Sequence, residues 1–149
     1  MNIPVIYLII WVVVFGGIFG FLVKKGWLGD FKFGTAKTKL DKDLVRRRWR
    51  EINDLMNQGK PSTYKVAVMD ADKLVDYVLK AKVGSAGTMA DRLKKSKGLF
   101  RSYYDYQNLW EAHKMRNRMV HDAEHEIYPA EVKKVISYFE KALKELQAL

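Results

Sequence analysis

The stretch YKVAVMDADKLVDYVL, at residues 64–79, decides the fold because its apolar side chains recur at helical spacing. They lie on one wide face of an amphipathic helix, whereas a strand would need apolar side chains at every second residue. We expect Ser62 or Thr63 to cap the start of this helix and Gly84 and Gly87 to end it. The apolar face consists of Tyr64, Ala67, Val68, Ala71, Leu74, Val75, Val78 and Leu79.

The flanking segments have the same helical spacing. A stripe over residues 41–58 predicts a first helix, a cap at Thr88 predicts a short third helix, and residues 102–121 predict a fourth. Pro129 fits the first turn of a last helix. We expect these elements to form an all-α antiparallel bundle. The expected inward positions are Val45, Trp49, Ile52 and Met56 in the first helix, Tyr106, Leu109, Trp110, His113 and Val120 in the fourth, and Val132, Val135, Ile136, Phe139, Leu143 and Leu146 in the last.

A different kind of segment precedes the bundle. Residues 3–23 contain no charged residue, Asn, Gln or His. A helix of this length is about 32 Å long, which matches the hydrocarbon core of a bilayer. A cleaved secretory signal is disfavoured because no basic residue precedes the segment. A buried core helix is disfavoured because the segment has no polar face. We therefore predict one transmembrane anchor at residues 1–25, in which Gly16 and Gly20 favour pairing of two helices.

The positive charge of the chain is concentrated next to this anchor. The net charge is +10, and residues 24–50 alone carry +7. The positive-inside rule predicts a cell-membrane protein with its N-terminus outside and its C-terminal domain in the cytoplasm. Residues 26–39 read as a basic and aromatic linker resting on the bilayer, with Lys24, Lys25, Arg46 and Arg47 as contacts to anionic lipid headgroups. Nucleic acid is the rival partner for the same basic residues.

Composition limits the chemistry that the domain at residues 40–149 can carry out. The chain has no cysteine and only three histidines, so disulfides, thiolate metal sites and a cysteine nucleophile are excluded. His121 and His125 have a spacing that two zinc ligands on one helix could use, but Pro129 follows closely and favours a turn there. We expect neither a metal site nor a cofactor. Asp70, Asp72 and Asp76 are interpreted as a solvent-exposed face of the second helix.

Two further groups of residues, one polar and one aromatic, each allow two interpretations. Arg116, Asn117 and His121 crowd the end of the fourth helix, where a bundle has no structural need for them. The purely structural alternative is an ion pair of Arg116 with a neighbouring acid and a helix C-terminus stabilised by Asn117 and His121. The aromatic residues Phe100, Tyr103, Tyr104, Tyr106 and Trp110 suit either a core and dimer interface or the stacking of RNA bases.

The run Arg116-Asn117-Arg118-Met119-Val120-His121 resembles the signature of HEPN domains, in which an Arg and a polar residue precede a His near the end of a bundle helix. The segments AVMDADKLVDYVL (67–79), GSAGTMADRL (84–93) and LWEAHKMRN (109–117) are similar to bacterial HEPN proteins as well. The resemblance covers residues 40–149 and leaves the predicted anchor outside.

The resemblance implies a homodimer and a metal-independent endoribonuclease in which the RNA 2′-hydroxyl attacks the neighbouring phosphate. It implies that Arg116 holds the phosphate, that His121 acts as general acid or base, and that Asn117 orients His121 or the RNA. Lys114, Arg118 and His113 are expected to add phosphate contacts. The alternative implied by the same family is a non-catalytic interaction module, with a nucleotidyltransferase as the kind of protein partner.

Overall fold

The computed structural model describes residues 39–121 and 128–149, and every regular element in these ranges is helical. The prediction of an all-α bundle is confirmed for this part of the chain, which contains five α-helices, one 3-10 turn and no strand. The elements are α1 (Lys42–Asn57), α2 (Pro61–Val83), α3 (Met89–Ser96), the 3-10 turn Lys97–Leu99, α4 (Tyr103–His121) and α5 (Pro129–Glu145).

The predictions for the N-terminal segment fall outside the described residues. They include the anchor at residues 1–25, the linker as far as residue 38, and the lipid contacts Lys24 and Lys25. None of the five described helices combines the length and the hydropathy needed to cross a bilayer. The anchor therefore stays a prediction from the sequence.

Helix α2 is the centre of the bundle because each of the other four helices packs against it. Its predicted apolar face is buried along the whole helix, as is the predicted stripe of α5. Burial of one aliphatic side chain stabilises a fold by roughly 1.5–3 kcal/mol relative to exposure. These two faces therefore account for much of the core.

The first turn of α2 differs from the prediction. Lys60 takes the N-cap position without a side-chain hydrogen bond, and Pro61 begins the helix. The expected cap at Ser62 or Thr63 is wrong because a proline, with its fixed φ and no N–H, already fits the first helical position. Thr63 instead donates its hydroxyl to the Lys60 carbonyl over 2.9 Å.

Helix α4 also departs from the prediction in one position. Val120, expected to face inward, is 40% exposed. The buried row of this helix runs through Leu109, Ala112, Met115 and Met119, at helical steps of three and four residues. Val120 lies about 100° further round the helix axis from Met119, which turns it toward solvent.

The loop between α2 and α3 is held in place by Arg92, whose side chain is only 5% exposed. Its Nε donates to Asp76 Oδ1 over 2.7 Å, and its Nη1 donates to the carbonyls of Ser85 at 3.1 Å and Gly87 at 2.7 Å. Lys80 Nζ lies 2.8 Å from the second oxygen of Asp76. Arg92, Asp76 and the two carbonyls are called the loop network below.

A capping box closes the same loop at the start of α3. The Thr88 N–H donates to Asp91 Oδ2 over 2.9 Å, and the Asp91 N–H donates to Thr88 Oγ1 over 3.2 Å. The predicted cap at Thr88 is thus confirmed. Gly87 precedes it with φ +81°, and a Cβ there would lie 2.8 Å from Asp91 Oδ2. Only glycine fits this position without strain.

Candidate functional site

Arg116, Asn117 and His121 all lie on α4, which continues without a break as far as His121. Five residues along one helix correspond to about 500°, so Arg116 and His121 point about 140° apart. His121 is exposed, and it makes no hydrogen bond or ion pair with the described residues of its own chain. One chain therefore does not bring the side chains of Arg116 and His121 together.

Arg116 lies instead against α2, where it meets Asp72. The distance from Arg116 Nε to Asp72 Oδ2 is 3.3 Å, and Asp72 is only 3% exposed. The interpretation of Asp72 as part of a solvent-exposed face is wrong because Asp72 lies on the same side of α2 as Val68 and Val75, both fully buried. A buried carboxylate requires a charged or hydrogen-bonding partner, and α4 supplies two.

The second partner of Asp72 is His113. Its Nδ1 lies 2.8 Å from Asp72 Oδ1, and its Nε2 lies 3.4 Å from Asn117 Nδ2. A carboxylate bound to one ring nitrogen fixes the orientation of an imidazole and the nitrogen that carries its proton. His113 was expected to contact a phosphate, but its side chain is 12% exposed and both ring nitrogens face protein groups. We call Asp72, His113, Arg116 and Asn117 the polar cluster.

The guanidinium group of Arg116 is incompletely satisfied within the polar cluster. Its Nη1 donates to Asn117 Oδ1 over 3.0 Å. Its Nε is buried and faces Asp72 without the geometry of a hydrogen bond to any described residue. A guanidinium carries five N–H donors, and the Arg116 side chain is 25% exposed. Arg116 therefore keeps donor capacity toward solvent, in a geometry suited to an anion such as a phosphate.

The other predicted phosphate contacts lie on the exposed part of α4. Lys114 Nζ is 2.9 Å from Glu111 Oε1, and both side chains are more than half exposed. Arg118 Nη2 lies 3.9 Å from Glu131 Oε1 and 3.7 Å from the sulfur of Met115. Exposed ion pairs of this kind contribute between about 0 and 1 kcal/mol and exchange readily. Lys114 and Arg118 are thus accessible to a ligand.

Arg46 and Arg47, the predicted lipid contacts in α1, are both exposed. Arg46 Nη2 lies 2.7 Å from Asp43 Oδ1, and this hydrogen bond and the arginine charge lower the pKa of Asp43. Arg48 pairs in the same way with Glu51 over 2.8 Å. Arg47 has no ion pair with a described residue, so it keeps its charge available to an external anion.

Metal ligands were a further question raised by the sequence. Within residues 39–121 and 128–149, no three His, Asp or Glu side chains are grouped in a way that could hold an ion. His125, the second histidine of the spacing considered above, lies outside the described residues. The expectation of no metal and no cofactor remains a prediction.

The sequence did contain a signal for the polar cluster that its interpretation missed. Asp72 lies within the apolar stripe of α2, between Val68 and Val75 at helical spacing. A charged residue in such a stripe indicates a buried partner on the facing element. His113 was correctly expected to face inward on α4, and the pairing of the two residues follows once α4 packs on α2.

Comparisons with known proteins identify no relative for this chain. No protein-family model, no curated protein and no solved structure matches it. The similarity to HEPN domains therefore depends on the motif around Arg116 and on the other segments quoted above.

Proposed function

We propose that this chain is a membrane-anchored, HEPN-like endoribonuclease that acts as a dimer, with its helical bundle on the cytoplasmic side. The observation that carries the proposal is that Arg116 is held in place by its neighbours but remains partly exposed. Its guanidinium group is oriented by Asp72 and Asn117, yet its side chain is one quarter exposed and only its Nη1 donates a hydrogen bond to a described residue. An arginine that is held in place but not saturated is suited to bind the phosphate of a substrate.

The reaction needs a base, an acid and a charge stabiliser but no redox step. The base removes the proton of the RNA 2′-hydroxyl, whose oxygen attacks the adjacent phosphorus and forms a cyclic phosphate. The bond to the 5′-oxygen breaks, and the acid gives that oxygen a proton. Imidazole serves either role near neutral pH, so His121 is the proposed acid or base. Arg116 stabilises the charge that develops on the phosphate oxygens.

The proposal requires two copies of the chain. Because Arg116 and His121 of one α4 point about 140° apart, a composite site needs His121 from the second copy. In such a dimer each site combines Arg116 and Asn117 of one protomer with His121 of its partner. Lys114 and Arg118, exposed on the same helix, add contacts to flanking phosphates.

A cleavage assay tests the enzyme proposal. The full chain in detergent micelles is incubated with end-labelled RNA in the presence of EDTA. We expect cleavage by the wild type and a loss of about 100-fold or more in the His121→Ala variant. His121 is exposed, so this substitution leaves the fold intact. Glu111→Ala, on the exposed face of the same helix, is the control and should change the rate little. No cleavage by the wild type, or equal cleavage by wild type and His121→Ala, contradicts the proposal.

Mixing two inactive variants tests the composite site. Arg116→Ala and His121→Ala each abolish both sites of their own dimers. In a mixed dimer, the Arg116 that remains in one chain meets the His121 that remains in the other, which restores one site of the two. We expect activity to return on mixing after exchange of subunits. Failure to return in mixtures shown to contain mixed dimers excludes a site shared between protomers.

The second candidate function is a non-catalytic interaction module held at the membrane, with a nucleotidyltransferase as a candidate partner. The observation that favours it is the mutual pairing inside the polar cluster, where Asp72 contacts both His113 and Arg116. A cluster whose members pair with one another can serve the fold alone. This alternative predicts no cleavage by the wild type, and substitutions at Arg116 that change stability and nothing else.

A further inference from the structure

The segment that leads into α4 forms a basic–aromatic surface. It includes the end of α3, the 3-10 turn and the first turn of α4. All of its defining side chains are exposed. Tyr103 is 62% exposed and Tyr104 is 68% exposed, the two largest values among the exposed large hydrophobic residues. The residues of this surface are Lys94, Lys95, Lys97, Arg101, Tyr103 and Tyr104.

This surface has an excess of positive charge, although Asp91 interacts electrostatically with Lys94 and Lys95. No acidic residue occurs between Asp91 and Asp105. Asp91 is engaged in the capping box, and Asp105 is buried with Lys141 Nζ at 2.8 Å from its Oδ1. Glu145 accepts a hydrogen bond from the backbone N–H of Arg101 over 3.0 Å. Among the described residues, the side chains of the four surface cations form no ion pair.

The two tyrosines present their rings next to these cations. The Lys97 amino group lies 5.2 Å from the ring centroid of Tyr103, a cation–π contact. Asp105 raises the pKa of Lys141 most, followed by Glu145 and then by the Tyr104 phenol, which lies near this lysine of α5. Two exposed aromatic rings among four cations match the chemistry of a base with its phosphate.

A row of aromatic contacts connects this surface with the polar cluster. The ring centroids of Tyr103 and Tyr106 are 6.0 Å apart, those of Tyr106 and Trp110 are 6.5 Å apart, and those of Trp110 and His113 are 6.4 Å apart. Tyr103 and His113 are separated by about 15 Å along the helix axis. This row joins Tyr103 to the polar cluster, whereas Tyr104 lies about 180° from His113 around the helix axis.

We propose that the basic–aromatic surface binds single-stranded RNA. Bases stack on Tyr103 and Tyr104, and phosphates contact Lys97 and Arg101, while Lys94 and Lys95 extend the positive field. The inference rests on the proposed function and names its substrate class, because bases are free to stack on side chains only where the strand is unpaired. A lipid surface is less well matched, since Leu99 is the one exposed aliphatic side chain of residues 94–104.

The test measures binding separately from cleavage. The probe is a fluorescein-labelled 2′-O-methyl oligonucleotide of about 12 nucleotides, within the range of known single-strand sites. It cannot be cleaved because its 2′-oxygens carry no proton. Fluorescence anisotropy gives its affinity for the full chain in micelles. We expect the double variant with Tyr103→Ala and Tyr104→Ala to bind at least about tenfold more weakly, since each stacked base contributes roughly 1–3 kcal/mol.

Two control sets separate stacking from charge. Phenylalanine at both tyrosine positions keeps the rings, so Tyr103→Phe with Tyr104→Phe should bind like the wild type. Tyr128→Ala removes an exposed tyrosine elsewhere and should also bind like the wild type. Lys97→Ala with Arg101→Ala should lower the slope of log affinity against log salt by about 1.4, as expected for two lost contacts to a single strand. Lys133→Ala with Lys134→Ala removes the same amount of charge from α5 and should lower the slope of log affinity against log salt less.

The outcomes distinguish this inference from the proposed function. RNA binding that depends on the tyrosine rings, without cleavage of unmodified RNA, supports the surface and contradicts the enzyme. Cleavage that is unchanged when both tyrosines are alanine, with unchanged probe affinity, supports the enzyme and overturns the surface. Vesicles of anionic lipid that bind through these tyrosines, with no affinity for the probe, also overturn the RNA assignment.

Discussion

Helix α2 carries two buried or half-buried aspartates one turn apart, and each is bound by an arginine from another helix. In the loop network, Arg92 is 5% exposed and donates to a carboxylate and to two carbonyls at distances of 2.7–3.1 Å. In the polar cluster, Arg116 is 25% exposed and, among residues 39–121 and 128–149, donates one hydrogen bond, to Asn117. An Asp–Arg pair thus occurs twice. In one pair the arginine donors have acceptors within the protein, and in the other several donors have none among the described residues.

The difference separates a structural role from a binding role. A saturated guanidinium gains nothing from an external anion, because its donors already have acceptors. An unsaturated guanidinium that remains partly exposed can add a phosphate without breaking its existing contacts. We therefore expect Arg92 to matter for stability and Arg116 to matter for the ligand.

The largest effect on stability should follow Arg92→Ala. The substitution removes the partner of Asp76 and the donor of two loop carbonyls, so we expect a loss of about 3–5 kcal/mol in the free energy of unfolding. Equilibrium unfolding in urea, followed by tryptophan fluorescence, measures it. Lys80→Ala is the control, because Lys80 contacts the same aspartate but is 43% exposed. If both substitutions lower the free energy of unfolding by the same amount, Arg92 does not hold the loop between α2 and α3.

Arg116→Ala should have a smaller effect on stability and a larger one on function. Asp72 keeps His113 as a partner at 2.8 Å, so we expect a loss of about 1–2 kcal/mol. RNA cleavage should fall below detection in the same preparation. An unfolding cost equal to that of Arg92→Ala, or full cleavage activity, would make the two arginines equivalent and remove the distinction drawn above.

The sequence predicted the helices that carry the two Asp–Arg pairs, but it did not predict the partner of Asp72. The apolar stripes of α2 and α5 and the cap at Thr88 follow from local spacing, which is why the helices were predicted correctly. The partner of Asp72 depends on which residue of α4 faces it across the bundle. Sequence spacing along one helix does not reveal which residues of two helices face each other, so the structural alternative paired Arg116 with a neighbouring acid instead of Asp72.

The position of His121 shows the same limit for the candidate site. The sequence gives its spacing from Arg116, and five residues on an ideal helix place the two side chains about 140° apart. Sequence signals place a helix end only to within one or two residues, so they do not decide whether the helix includes His121. The continuous helix makes a second protomer necessary for the proposed site.

A moderate effect is expected for Thr88→Ala, which removes the cap of α3 and leaves Arg92 in place. Replacing a threonine N-cap by alanine costs about 0.5–2 kcal/mol. Unfolding in urea should show this loss, and it should stay below that of Arg92→Ala. Thr88→Ser, which keeps the hydroxyl, is the matched control and should restore most of the stability. A loss equal to that of Arg92→Ala would mean that the cap, and not the arginine, fastens the loop.

The smallest effect concerns the pH dependence of the same cap. The backbone N–H of Thr88, followed by its hydroxyl, lowers the pKa of Asp91 below its ordinary value of 3.8. A carboxyl with a lowered pKa in the folded state contributes stability above its unfolded pKa and loses it as the pH falls through the folded pKa. The difference in stability between wild type and Asp91→Asn should therefore be constant at neutral pH and shrink below 3.8. A difference that does not change in that range would contradict the assignment.

The position of α1 has a consequence for how the bundle opens. Its main packing partner is α2, and the hydrogen bond from the Asp41 N–H to the Tyr77 hydroxyl, 3.2 Å long, ties its start to that helix. α2, by contrast, is covered by four helices. An element held mainly by one neighbour can detach in a local opening while the rest stays folded. In hydrogen–deuterium exchange we expect the amides of α1 to exchange well before those of α2. Because α1 follows the predicted anchor in sequence, a pull from the membrane would reach a helix held mainly by α2 before it reached the rest of the bundle.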